Sequence, residues 1–152
     1  MIPEDTRLDL TIVKVGDEDE LALVHHIREV VFIEEQNVPR DREYDEYEEV
    51  SIHFLAYADG DPAGCIRYRR SGDRIKLERL AVLKEFRGRG IGKALMDYVE
   101  KRSSDDTTTE FVLNSQLHAM EFYEKCGYKA RGGIFLDADI EHREMFKKAN
   151  AN

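Results

Sequence analysis

Between Leu80 and Lys93 an apolar, strand-like run, Leu80-Ala81-Val82-Leu83, passes through a short basic turn into a helix-patterned segment. The turn carries Gly88, Gly90 and Gly92 among Arg87, Arg89 and Lys93, and the helix repeats Ile91, Ala94, Leu95, Tyr98 and Val99 on one face. A strand delivered directly to a helix start demands a sheet with a helix packed on it. Its free N–H groups, close-approach glycines and positive charge suit an anion such as a phosphate.

The flanking segments narrow the fold. Leu8 to Val15 alternates as a strand, and Asp17 with Glu20 forms a helix-capping arrangement before an apolar face of Leu23, Ile27, Val30 and Val31. A turn-rich acidic stretch runs to Glu49. His53–Ala58 and Ala63–Arg70 flank the turn Asp59-Gly60-Asp61-Pro62 as a hairpin, and Arg74–Leu83 is a third strand after Ser71-Gly72-Asp73. Phe111–Asn114 is a short strand, Leu117–Lys125 a short helix stopped by Gly127, and Tyr128–Arg131 and Glu141–Phe146 are closing strands. Residues 1–152 therefore read as a single α/β domain, a mixed, mostly antiparallel sheet of six to seven strands with helices on both faces. In the third central strand Ile75 and Leu77 share one parity while Leu80 and Val82 share the other. Either a β-bulge near Glu78-Arg79 realigns them or the strand switches its buried side.

The formal net charge of −9 excludes a general nucleic-acid binder. Charge is also segregated. Cys65 to Lys93 holds ten Lys/Arg against three Asp/Glu, and Glu34 to Val50 eight Asp/Glu against two Arg. These are either two solvated surfaces or a basic cofactor site beside an acidic site for a cationic substrate. Cys65 and Cys126, far apart and without CxxC spacing, read as reduced core thiols, and no His/Cys/Asp/Glu spacing implies a metal. With no signal-like start and no apolar run of membrane length, a cytoplasmic protein without a membrane partner is expected.

The glycine turn fits neither common nucleotide motif. A Walker A frame ending at Gly92-Lys93 has Ala94 where the magnesium-binding hydroxyl belongs and Arg87 at the first glycine. Dinucleotide frames started at Gly88 or Gly90 end on Lys93 or Leu95 instead of glycine. What remains is R-x-x-G-x-G, Arg87, Gly90 and Gly92, between a strand and a helix. Downstream, Asn114 through Tyr128 contains A-x-x-F-Y-x-K-x-G-Y, from Ala119 through Phe122, Tyr123, Lys125 and Gly127.

With these two motifs in this order, the sequence resembles the GNAT superfamily of acyl-CoA N-acyltransferases over most of its length. It is closest to the ElaA-like branch, which shares E-Q-x-V-P (Glu35, Gln36, Val38, Pro39) and L-E-R (Leu77, Glu78, Arg79). The branch's G-I-P-H-x-x-M ending survives only as Ile140, His142 and Met145. The resemblance implies a GNAT-like fold and acetyl-CoA as co-substrate. It implies Leu80, Ala81 and Val82 along the pantetheine arm and Arg87, Gly88, Arg89, Gly90, Ile91, Gly92 and Lys93 around the pyrophosphate. Gln116 stands where many relatives contact the coenzyme through asparagine, and Tyr123 lies near the sulfur.

Acetyl transfer needs a neutral amine, a polarised thioester carbonyl and a proton for the departing thiolate. By the resemblance Tyr123 supplies that proton; by helical spacing alone it is a core aromatic beside Ala119, Phe122 and Cys126. Glu78 is either the base, directly or through water, or a surface carboxylate paired with Arg79 or Lys76. His53 and His142 are alternative bases, and no cysteine-histidine pairing supports an acyl-enzyme. The expected activity is direct acetyl transfer from acetyl-CoA to a primary amine on a small molecule or a protein. An acyl-CoA-binding sensor with little turnover is the alternative. Monomer and homodimer both remain open.

Overall fold

Residues 8–149 are described by the structure, a computed structural model. Strand β1 (Leu10–Lys14) leads to Asp17, whose carboxylate accepts from the Glu20 N–H at 2.8 Å, while the Glu20 carboxylate accepts from the Gly16 N–H at 2.8 Å. These bonds start α1 (Glu18–Arg28) as the spacing predicts. The helix widens into a π-helical segment, Glu29–Glu35, that ends where the acidic stretch begins, and its Val31 belongs to the same buried cluster as Val24 and Ile27. After Pro39 comes one further turn, α2 (Arg40–Glu43).

Strands β2 (Ile52–Ala58), β3 (Asp61–Ser71) and β4 (Arg74–Val82) form an antiparallel meander. The β2–β3 turn is the two-residue hairpin loop Asp59-Gly60, with φ of 50° and 88°. Then follow α3 (Ile91–Ser103), β5 (Glu110–Gln116), α4 (Met120–Lys125), β6 (Lys129–Asp137) and β7 (Ile140–Lys148). The seven strands lie in the order β1-β2-β3-β4-β5-β7-β6, with only β4 and β5 parallel. The last hairpin is longer than its pattern predicts. Gly132 has a φ of 76° within a register break between Arg131 and Phe135, and this irregularity hides the strand from an alternation test.

Both faces of the sheet are covered. Ile91, Leu95, Met96 and Val99 of α3 pack on Phe54, Ala56, Ile66, Ile75 and Leu77. Val24, Ile27 and Val31 pack on Leu55, Cys65 and Ala81 of the other face. Both cysteines are free and buried.

The parity conflict in β4 is resolved by a bulge. Cys65 pairs with Ala81 but Arg67 with Glu78, so β4 carries one extra residue there. Arg79 has a φ of 59°, the left-handed conformation that realigns the strand. Ile75, Leu77, Leu80 and Val82 consequently all pack against the α3 side.

Candidate active site

Strands β4 and β5 pair only from Arg74↔Glu110 to Lys76↔Val112 and then part. The wedge between them opens as a cleft. It is floored by Leu77 to Leu80 and Val112 to Gln116, and walled by Phe32, Gln36 and Val38 on one side and the β6–β7 turn on the other. The Leu83 N–H donates to Ala63 O at 2.8 Å. Backbone groups alternate sides along a strand, so Val82 and Leu80 turn theirs toward the wedge while Ala81 turns toward β3. Of these three, Leu80 lines the cleft directly, Val82 packs on the α3 side, and the Ala81 side chain is buried beneath α1.

The glycine turn closes the deep end of β4. Gly88 and Gly90 have φ of 77° and 84°, conformations that side chains disfavour. Gly90 O accepts the first helical bond, from the Ala94 N–H at 3.0 Å, leaving the amides of Ile91, Gly92 and Lys93 as orphan donors. Gly92 answers to packing as well, since a Cβ there would lie 3.1 Å from Cζ of Phe122 in α4. The Arg87 guanidinium turns back, donating to Val82 O at 2.8 Å and to Glu35 at 2.9 Å. Arg89 lies 3.9 Å from Asp59, and Lys93 pairs with Asp97 at 3.1 Å.

Tyr123 lines the cleft from α4, its ring edge-on to Phe122 and Tyr128. It serves the core edge and the cleft at once. Burial pushes its phenol well above the ordinary tyrosine range, so it keeps its proton. Glu78 also lines the cleft, held by Arg67 at 3.2 Å and Arg69 at 3.0 Å, not by the Arg79 or Lys76 pairing the sequence suggested. Arg67 is fully buried, and it reaches Asp45 and Glu48 as well. Arg28 binds Glu43 at 2.6 Å and Glu48 at 2.8 Å, and Arg79 binds Glu43 O and Asp45 at 3.2 Å. Glu43, Asp45 and Glu48 of the acidic stretch are thus consumed by arginines on α1, β3 and β4.

Gln116 lies at the cleft, its Nε2 donating to Gln36 Oε1 at 2.7 Å. The two histidines weighed as bases separate. His53 Nε2 contacts Glu48 O at 3.1 Å beneath the acidic loop, and burial lowers its pKa. His142 lines the cleft, stacked on Phe135, with Nδ1 2.7 Å from Ile140 O.

Residues 23–149 match the acetyltransferase (GNAT) domain family. The uncharacterized N-acetyltransferase YjcF of Bacillus subtilis is 41% identical over 132 residues, which is 86% of this chain and 94% of that protein. The chain belongs to the GNAT acetyltransferase family. Among solved GNAT-like structures, an acyl-CoA N-acyltransferase from Pseudomonas aeruginosa superposes with a TM-score of 0.76 at 25% identity, covering 92% of this chain and 99% of that one. ElaA of Escherichia coli superposes with a TM-score of 0.77 at 20% identity, with the same coverage. Neighbours of this fold were solved with coenzyme A.

As a GNAT acetyltransferase the protein uses acetyl-CoA and acts on an amine-bearing acceptor. No helix among the described residues is long and apolar enough to cross a membrane. Several cleft residues escaped the sequence reading of this GNAT chain. Phe32 and Gln36 reach the cleft because the first helix runs on to Glu35 as a π-helical segment, and Asp137 because β6 runs past two glycines. For Gln36 the E-Q-x-V-P match was a usable signal. Phe32 and Asp137 carried none.

Proposed function

We propose that the protein transfers acetyl directly from acetyl-CoA to a primary amine in the β4–β5 wedge, with Tyr123 as acid and Glu78 as base acting through water. The observation that carries the reading is the parting of β4 from β5 beside a bulge at Arg79, with Tyr123 and Glu78 both lining the gap. The coenzyme's pyrophosphate sits on the turn from Arg87 to Lys93 and the amides of α3. Its pantetheine runs along Leu80 to Val82, and Gln116 reaches it from β5. Leu80, whose backbone groups turn into the wedge, polarises the thioester carbonyl.

The amine nitrogen attacks the acetyl carbon, forming the C–N bond. Its surplus proton passes by water to Glu78, and the C–S bond breaks as the Tyr123 hydroxyl gives its proton to the departing thiolate. The products are the N-acetyl amide and coenzyme A, and solvent exchange then resets both side chains. Neither cysteine enters the chemistry, as both are buried. A second reading of the base rests on His142. A proton on Nδ1, donated to Ile140 O, leaves the Nε2 lone pair free in the cleft.

Tyr123→Phe tests the acid. It keeps the ring packing and removes only the proton donor, so kcat falls toward the lower end of about 10²–10⁴-fold with the melting temperature unchanged. Near-wild-type single-turnover rates in this variant would return Tyr123 to a packing role. For the base, Glu78→Gln lowers kcat by about 10²–10⁴-fold while His142→Gln leaves it near wild type. The reverse pattern selects His142.

A further inference from the structure

Four carboxylates line the cleft, and arginines hold all of them. Glu43 meets Arg28, Glu78 meets Arg67 and Arg69, Asp137 meets Arg42 at 2.9 Å, and Glu144 meets Arg131. Around the bulge Arg28, Arg67, Arg69 and Arg79 balance Glu43, Asp45, Glu48 and Glu78, a closed set of four against four. Lys76 is different. It lines the same cleft, half-buried, and no carboxylate of the described residues lies within 4.0 Å of its ammonium.

Lys76 stands opposite Arg69 in the β3–β4 register, a like-charge pair that disfavours the sheet, and the Arg69 guanidinium turns onto Glu78 at 3.0 Å and onto the Tyr47 ring at 3.6 Å. Only part of that repulsion is answered by Glu78, which Arg69 shares with Arg67. Lys76 is also the last β4 residue paired with β5, so its side chain stands where the wedge opens. It is two residues before Glu78, on the same sheet face, at a strand rise of about 3.3 Å per residue. An acceptor whose amine lies near Glu78 would place a neighbouring group within the lysine's reach. A polyamine would find no unclaimed carboxylate here for its second ammonium.

We propose that the acceptor is an amino-acid-type molecule, an amine carrying a carboxylate, and that Lys76 binds that carboxylate. This rests on the acetyl-transfer reading above and adds the acceptor's chemical class.

The test is thiol release from acetyl-CoA with matched acceptors: α-amino acids, their carboxamides, their decarboxylated amines, and spermidine, with each product confirmed by mass. Amino acids should exceed their carboxamides in kcat/KM by about tenfold or more, the worth of a charge-assisted contact. Lys76→Met should raise KM for the amino acid by a similar factor, leaving the carboxamide and the acetyl-CoA KM unchanged, and Lys76→Arg should restore most of the preference. Better turnover of spermidine, carboxamides or decarboxylated amines would overturn the acceptor class and leave acetyl transfer standing. So would an intact carboxylate preference in a folded Lys76→Met variant. Binding of coenzyme A with no thiol release from any amine would overturn the transfer reading and this inference with it.

Discussion

The side chains of Gln36 and Gln116 meet at the cleft, Nε2 of one donating to Oε1 of the other at 2.7 Å. The amide expected to serve the coenzyme is therefore already oriented, by a residue from the far end of the first helix. One N–H of Gln116 remains for a ligand. Gln116→Ala should raise the KM for acetyl-CoA several-fold, the scale of one neutral hydrogen bond. Gln36→Ala should move it by no more than about twofold. Equal effects in steady-state kinetics would make orientation, not direct contact, the contribution of Gln116.

For the glycine turn, Gly92→Asp is a compromised probe. Its Cβ would meet Phe122 at 3.1 Å, so lost binding would mix repulsion with a displaced α4. Lys93→Glu is cleaner, because Lys93 is exposed and bonded only to Asp97, on its own helix. It should weaken coenzyme A binding about tenfold by calorimetry, more at low salt than at high, with an unchanged melting temperature.

The Arg28–Glu43 pair is almost fully buried, at 1% exposure for each residue. Removing Glu43 leaves the buried Arg28 with Glu48 as its remaining carboxylate, so Glu43→Ala should cost about 3 kcal/mol in urea unfolding, the lower end for a broken buried pair. Arg28→Met combined with Glu43→Leu should recover most of it, because desolvation offsets much of what the pair gains. A loss in the double variant equal to the sum of the singles would contradict that account.

Stability should fall with acid in two stages. Burial by itself raises the Glu48 pKa, but hydrogen bonds and charge from Arg28 outweigh it and bring it down to about 2, against 4.5 for the free group. A depressed carboxylate stabilises the fold above the unfolded pKa, and that contribution drains away as pH falls from about 4.5 toward 2. His53 acts earlier. Burial lowers its pKa below 6.5, so beneath that pH the unfolded chain takes a proton that the native imidazole refuses, and stability again declines. Urea unfolding from pH 7 to pH 3 should show both slopes. Glu48→Gln should flatten the lower and His53→Gln the upper.

What the order of residues determined by itself is local. The capping of α1 by Asp17 and Glu20, the apolar face of α3, the Asp59-Gly60 hairpin and the strand-to-helix glycine turn each depend on neighbours within a few positions. The broken parity of Ile75, Leu77, Leu80 and Val82 already required a bulge or a change of face. Tertiary structure chose the bulge: Arg79 takes a φ of 59° with its guanidinium anchored on Glu43 and Asp45, more than thirty residues earlier. The acidic stretch shows the same division. Composition announced its charge, but burial beside Arg28 and Arg67 decided that Glu43, Asp45 and Glu48 would be neutralised within the protein. Lys76 was one cation among ten in its segment, and only the pairing of every neighbouring carboxylate set it apart. Charge balance in a cleft is a sum over strands distant in sequence, and that sum exists only once the sheet has formed.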